Sequence, residues 1–146
     1  MMNPPLSSPN KPKKKSSDYF WLAPAVGWAV WVLIMGMEPN PKHDWLSSAF
    51  GDKVLHIGSF ALGGILWIHS IRRVGRLRFF SASIIGGMIS FAFGILLEVF
   101  QRQIPGREAD PGDIIADLAG VMIAVVLYVL ASVLGLSRRS IKEPDS

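Results

Sequence analysis

Residues 114–136, IIADLAGVMIAVVLYVLASVLGL, decide the fold class, because Asp117 is the only charged side chain in this apolar run. A helix needs about 20 apolar residues to cross the hydrocarbon core of a bilayer, which is roughly 30 Å thick. Residues 19–37, 54–71 and 79–100 form three more runs of about this length. Only 18% of the residues are charged, against about 25% in soluble proteins. We therefore predict an all-α membrane protein, a bundle of four transmembrane helices.

The runs divide the chain into one transmembrane domain, residues 19–136, between two polar tails. Residues 1–18 contain several lysines, prolines and serines, a composition typical of a disordered basic tail, and residues 137–146 form a shorter tail. The run 19–37 follows basic residues as the apolar part of a signal peptide would. Because no small-residue cleavage site follows it, we interpret it as an uncleaved membrane anchor.

The basic side chains are distributed unevenly between the segments that connect the runs. Most of the 15 lysines and arginines lie in the two tails and in the segment 72–78: Lys11, Lys13, Lys14, Lys15, Arg72, Arg73, Arg76, Arg78, Arg138, Arg139 and Lys142. Basic residues close to membrane spans are retained on the cytoplasmic side. We therefore predict that both termini are cytoplasmic, and we attribute the positive charge to orientation rather than to nucleic-acid binding.

Each of the last three runs carries polar and small residues on one helix face. Counted at 100° per residue, each set falls within an arc of roughly 60°. The sets are Asp52, His56, Ser59 and Gly63 on the second predicted helix, Gly87, Gly94, Glu98 and Gln101 on the third, and Asp113, Asp117, Gly120 and Ala124 on the fourth. Small residues let helix backbones approach closely. We therefore expect these faces to turn inward and their polar ends to meet at the outer surface.

Two interpretations of the polar ends stay open. Asp52 and Asp113 each precede an apolar run and could be helix caps alone. Glu98 stands near a helix C-terminus, where the macrodipole disfavours an anion, so it needs a cation or a proton. Lys53 and Arg107 could provide the charge and His56 a hydrogen bond, either in a structural ion pair or in a functional site.

The residue types limit the cofactors that can be assigned. The chain has no cysteine, so it can form neither a disulfide nor a thiolate metal site. Carboxylates and His56 converge, but no tight motif, such as two histidines at helical spacing, indicates a metal. We assign no metal ligand and no cofactor. The five tryptophans and Tyr19 are interpreted as interfacial or lipid-facing side chains.

Three segments resemble the VanZ-like family, which is named for a protein associated with resistance to the glycopeptide teicoplanin. They are Asp52-Lys53-x-x-His56-x-x-x-Phe60, then Gly94-x-x-x-Glu98-x-x-Gln101, then Pro105-x-Arg107 followed by Asp113-x-x-x-Asp117-x-x-Gly120. The resemblance covers about residues 50–130. It implies a multi-pass protein of the bacterial inner or plasma membrane with the motif residues near the outer surface, but it supplies no reaction. Phe60 and Asp117 depart from the family pattern, which usually has tyrosine and asparagine there.

The first functional hypothesis is a binding protein of the cell envelope, with a possible role in glycopeptide resistance. Its outward polar site would bind the head group of an anionic amphiphile, such as an envelope lipid or a lipid-linked precursor, among the membrane lipids. The predicted ligand-binding residues are Asp52, Lys53, His56, Glu98, Gln101, Arg107, Asp113 and Asp117.

Two further hypotheses belong to other functional classes. A membrane-embedded enzyme would act on a lipid head group with His56 as general base and with Glu98 or Asp117 as its orienting carboxylate. The chain has no nucleophile motif, so such an enzyme would use water or a hydroxyl of the substrate. A structural or transport subunit is the third class, and conduction by so few helices would require an oligomer. The sequence does not determine the oligomeric state.

Overall fold

The structure, a computed structural model, describes residues 16–37, 49–104 and 110–135. Every regular element in these ranges is helical. A 3-10 helix at Ser16–Leu22 precedes four α-helices: α1 (Ala23–Gly36), α2 (Ala49–Gly75), α3 (Phe79–Gln101) and α4 (Pro111–Val133). Four spans are long and apolar enough to cross a membrane, the first of them Tyr19–Gly36, which includes part of the 3-10 helix. The predicted fold class, an all-α membrane protein with four spans, is confirmed.

The ends of α2 and α4 differ from the ends of their apolar runs. α2 begins at Ala49 rather than at residue 54 and ends at Gly75 rather than at residue 71. α4 begins at Pro111 and ends at Val133, whereas its run is 114–136. Hydropathy marks the part of a helix that suits the hydrocarbon core, but backbone hydrogen bonding continues into the interface. The first turns of α2 and α4 therefore carry charged side chains.

α2 is the central helix, because it packs against α1, α3 and α4. Two glycines on its neighbours make this packing close. Gly120 of α4 lies against the carbonyl of Ile57, and a Cβ atom on Gly86 of α3 would stand 2.6 Å from the Cα atom of Ile68. A larger residue at either position would force α4 or α3, respectively, away from the backbone of α2. Gly120 is on the inward face predicted for α4. Gly86 is not in the set predicted for α3, and Gly87, which is, lies nearest to Val121 of α4.

The predicted inward face of α2 divides between two neighbours. His56 faces α4, but Gly63 lies against the indole of Trp28 in α1, and the carbonyl of Ser59 accepts a hydrogen bond from Trp28 Nε1 at 2.9 Å. Trp28 is only 5% exposed. The interpretation of every tryptophan as interfacial or lipid-facing is therefore wrong for Trp28, although Trp21 and Trp31 are exposed. Angular spacing gives a face but not the helix that covers it.

Apolar side chains fill the bundle and cover its outside. The core cluster consists of Trp28, Ala29, Val32, Phe60, Leu97 and Val121. Leu62, Met88 and Val126 are among many large apolar side chains that are more than half exposed, as a lipid-facing surface requires. The order of the spans places the starts of α2 and α4 beside the end of α3. Which end faces the cytoplasm stays a prediction.

Candidate functional site

The charged and polar side chains at the start of α2, the end of α3 and the start of α4 form a cluster, called here the carboxylate end. It comprises Asp52, Lys53, His56, Glu98, Asp110, Asp113 and Asp117. Apart from Asp110, which precedes α4, these residues lie within the candidate spans. Ionisable side chains within membrane spans are costly and usually mark functional sites.

Lys53 joins α2 to the start of α4 at the rim of the carboxylate end. Its Nζ atom is 2.6 Å from Asp110 Oδ2 and 3.4 Å from Asp113 Oδ1. Asp110 is also the N-cap of α4, because its Oδ1 atom accepts a hydrogen bond from the Gly112 N–H at 2.8 Å. The hydrogen bond from Lys53, followed by that from Gly112, lowers the pKa of the Asp110 carboxyl. The side chains of Lys53 and Asp110 are 38% and 54% exposed, so this pair is in contact with solvent.

His56 and Asp117 form the second contact between α2 and α4, one turn deeper. His56 Nδ1 is 2.8 Å from Asp117 Oδ1, and the Asp117 side chain is fully buried. A carboxylate at this distance favours the tautomer with a proton on Nδ1, which leaves Nε2 as an acceptor. The ring of Phe60 lies parallel to the imidazole, with an interplanar angle of 4° and 6.3 Å between centroids. The contact with Asp117 on the Nδ1 edge and the Phe60 ring on one face therefore fix the orientation of the imidazole.

Glu98 reaches the carboxylate end from α3. It is 2% exposed, and neither carboxyl oxygen has a hydrogen-bond partner within the described residues. Its charge interacts with those of Asp113, His56 and Asp117, and with Arg102 in the turn after α3. The cation partner expected for Glu98 is not found among the described residues, because Lys53 pairs with aspartates and His56 with Asp117. Arg107, the other expected partner, lies outside the described residues.

Asp117 is also incompletely paired. Its Oδ2 atom is buried and has no hydrogen-bond partner in the described part of the chain. A Cβ atom added to Gly94, one turn before Glu98 on α3, would stand 2.5 Å from this oxygen. The face of α3 that carries Gly94 and Glu98 therefore lies against Asp117. Gly94 has no side chain that could bond to the Oδ2 atom.

Three donor groups of the carboxylate end have a spacing that a metal ion can use. One donor atom each from Asp52, His56 and Asp113 can be chosen so that all three lie within 4.8 Å of one another. His56 Nε2, the nitrogen not bonded to Asp117, is 4.0 Å from Asp113 Oδ2. The donors come from two helices, so no sequence motif for a metal contains them.

The structure brings six of the eight predicted ligand-binding residues together. Asp52, Lys53, His56, Asp113 and Asp117 lie between α2 and α4, and Glu98 faces them from α3. Gln101 is not part of this group, because its Nε2 atom donates to the carbonyl of Gly36 in α1 at 3.1 Å. Arg107 lies outside the described residues. The roles of all eight residues stay predictions.

Asp110 is the residue of this site that the sequence analysis missed. The signal was present, because an aspartate directly before a proline is typical of a helix N-cap with proline at N1. Asp113, for which capping was an alternative, is instead buried in the first turn of α4, and α2 begins at Ala49, before Asp52. Asp113 is therefore not the cap of its helix, and the position of Asp52 within α2 argues against a capping role alone.

Comparison with known proteins agrees with the extent of this bundle. The model of the VanZ/LLP1 family matches residues 8–132, which include all four candidate spans almost to the end of α4. No curated protein and no solved structure matches the chain significantly.

Proposed function

The chain belongs to the VanZ/LLP1 family, and from this membership and the geometry of the carboxylate end we propose that it binds an anionic amphiphile in the bacterial cell membrane. The polar head group of this molecule, an envelope lipid or a lipid-linked precursor, binds at the carboxylate end on the outer surface. The observation that carries the proposal is the position of Lys53, half-exposed at the rim above buried carboxylates.

Lys53 is well placed to exchange one anionic partner for another. Its nearest partner, Asp110, lies before α4 and has the more exposed side chain of the pair. Ion pairs exposed to solvent contribute little to stability, so a phosphate can replace Asp110 at little cost. Asp113 is only 10% exposed and remains beside the lysine. The head group would thus bind to a cation that the chain already holds in position.

The surroundings of Lys53 suit a molecule with an apolar tail. Val54, Leu55 and Ile115 lie next to the site in sequence and expose large parts of their side chains to the membrane phase. A tail can lie along this surface among the membrane lipids, so the site needs to recognise only the head group. Sequestering such a molecule would change the sensitivity of the cell to lipophilic glycopeptides, the role implied by the family resemblance.

Binding of a polyprenyl phosphate tests the proposal, with the polyprenol of equal chain length as the matched neutral ligand. The purified chain in phosphatidylcholine nanodiscs is titrated with each, and native mass spectrometry counts retained molecules. We expect the phosphate to be retained and the polyprenol to be lost. Lys53→Met should weaken retention of the phosphate at least about fivefold, because it removes a charge-assisted hydrogen bond to the head group. Lys53→Arg should preserve it.

Asp110→Asn is the variant that separates charge from structure at this site. The asparagine side chain can still accept the hydrogen bond from Gly112, so the cap of α4 remains. Removal of the carboxylate that competes for Lys53 should strengthen retention of the phosphate several-fold. Arg78→Met, at the other end of the bundle, should leave it unchanged. Equal retention of phosphate and polyprenol, or no effect of Lys53→Met, would contradict the proposal.

The contact between His56 and Asp117 supports a second candidate function, an enzyme acting on the same head group. An imidazole that donates to a buried carboxylate through Nδ1 presents Nε2 as a general base, and such a pair recurs in hydrolases. Water or a hydroxyl of the substrate would be the nucleophile. His56→Gln should then abolish release of phosphate from a polyprenyl diphosphate while binding persists. Absence of phosphate release by the wild-type chain would exclude this reaction with this substrate.

A further inference from the structure

We propose that the carboxylate end binds one divalent transition-metal ion, such as Zn²⁺ or Mn²⁺, through Asp52, His56 Nε2 and Asp113. Glu98 faces this ion from α3 and adds negative charge. The inference goes beyond head-group binding and does not rest on it. No metal motif is visible in the sequence, because the donors are joined only by the packing of α2 against α4.

The spacing of the donors fits an ion of this size. Ligand atoms about 2.1 Å from one metal ion stand about 3.0–3.4 Å apart at octahedral or tetrahedral angles, and up to about 4.2 Å apart only when they lie opposite one another. His56 Nε2 and Asp113 Oδ2 are 4.0 Å apart, and the donors of all three residues lie within 4.8 Å of one another. Closing this set onto an ion therefore needs side-chain movements of less than about 1 Å. One imidazole with carboxylate oxygens suits Zn²⁺ or Mn²⁺.

The groups behind these donors are those that metal sites use to orient their ligands. A metal-bound histidine usually donates its other ring N–H to a carboxylate, which fixes its tautomer. Asp117 Oδ1 occupies this position at 2.8 Å from His56 Nδ1. Asp113 is held in the same manner, since Lys53 Nζ contacts its Oδ1 atom at 3.4 Å while its Oδ2 atom faces His56. Each of these two donors thus has its own supporting group.

Glu98 and the second carboxylate oxygen of Asp117 provide independent support for a cation. Glu98 is 2% exposed, and both of its oxygens lack a hydrogen-bond partner in the described residues. Asp117 Oδ2 is buried without a partner there as well. Glu98 interacts electrostatically with Asp113, His56 and Asp117, which places its charge among the metal donors and their support. Carboxyl groups brought together in this manner repel one another, and a divalent cation between them removes that cost.

The test measures metal content without any lipid ligand, so its outcome is independent of head-group binding. The full chain in detergent is stripped with a chelator, dialysed against ZnCl₂ or MnCl₂, and analysed for bound metal and for its unfolding temperature. We expect one ion per chain and a rise in unfolding temperature with metal concentration. His56→Gln and Asp113→Asn should each weaken binding at least tenfold, and Glu98→Gln should weaken it less.

Matched controls distinguish the site from general adsorption. His69→Gln removes a histidine of the same helix near its other end, where the ring packs against Trp21, and should leave the affinity unchanged. Arg78→Met, at the other end of the bundle, should also leave it unchanged. Asp52→Asn is a third donor variant, and it serves if His56→Gln or Asp113→Asn fails to fold.

Three results of the same measurement would overturn the proposal. Less than a tenth of an ion per chain at saturating metal would exclude the site. So would wild-type affinity in His56→Gln, or in Asp52→Asn if the former does not fold. Retention of Mg²⁺ or Ca²⁺ with no preference for Zn²⁺ or Mn²⁺ would also overturn it, because those ions do not favour imidazole.

Discussion

The two ends of the bundle place their charged side chains in different environments. At the end where α2 meets α3, the Arg73 guanidinium lies 4.8 Å from the ring centroid of Trp21, and that of Arg72 lies 5.9 Å from Phe79. These arginines are partly exposed, and Arg76 and Arg78 are exposed. At the carboxylate end, by contrast, Glu98, Asp113 and Asp117 are buried.

This difference separates two uses of charge in a membrane protein. Arginines that rest on aromatic rings at the surface stay hydrated, as side chains that orient and anchor a bundle do. Burial removes water from a carboxylate, and only a hydrogen-bond or ion-pair partner compensates for that loss. Glu98 has no hydrogen-bond partner among the described residues. The arginine-rich end therefore fits the predicted orientation of the bundle, whereas the buried carboxylates of the other end fit the proposed binding site.

The largest effect is expected from a test of which end faces the cytoplasm. The excess of basic residues predicts that the segment around Arg76 is cytoplasmic and that the carboxylate end is external. A reporter enzyme that folds only outside the cytoplasm should be inactive when fused after Arg76 and active when fused after His43, a position outside the described residues. A reporter that is active after Arg76 and inactive after His43 would reverse the predicted orientation and place the carboxylate end on the cytoplasmic side.

The next prediction is that substitutions of two polar side chains on the last turns of α3 change the free energy of unfolding in opposite directions. Glu98→Met should raise the free energy of unfolding of the metal-free chain by about 1–3 kcal/mol, because it replaces a buried unpartnered carboxyl with an apolar side chain. Gln101→Met should lower it by about 1 kcal/mol, because Gln101 donates to the Gly36 carbonyl. Thermal unfolding in detergent containing a chelator measures both. Destabilisation by Glu98→Met would mean that the glutamate has a structural partner.

The smallest effect concerns the pH dependence of the pair at the rim. Because the hydrogen bond from Lys53 lowers the pKa of Asp110 below its ordinary value of 3.8, the pair stabilises the fold above that pH. This contribution is lost as the pH falls through the lowered pKa. The difference in unfolding temperature between wild type and Asp110→Asn should be small and constant from neutral pH to about pH 4, and should vanish in stronger acid. A difference that disappears between pH 6 and 5 would contradict the lowered pKa.

The sequence by itself determined the number of spans and most of the site. Long apolar runs have few alternatives to membrane helices, since only regular hydrogen bonding satisfies the backbone in lipid. Helical spacing also selected the buried faces of α3 and α4, where Gly94, Glu98, Asp117 and Gly120 are all buried. The resemblance to the VanZ-like family rested on these same positions, and the family model agrees with it.

Only the tertiary structure decided which of these polar groups meet. Residues at similar depth in a bundle have several possible partners, and the choice depends on helix rotation and on distances of an ångström or less. Packing of Gly120 against the carbonyl of Ile57 brings α4 close enough for Asp117 to contact His56, and Lys53 pairs with Asp110 rather than with Glu98. The tertiary structure also directs Gln101 towards α1 and buries Trp28 between helices. Periodicity fixes directions around a single helix axis, whereas ion pairs and donor sets depend on the separation of two axes, which no single run of residues encodes.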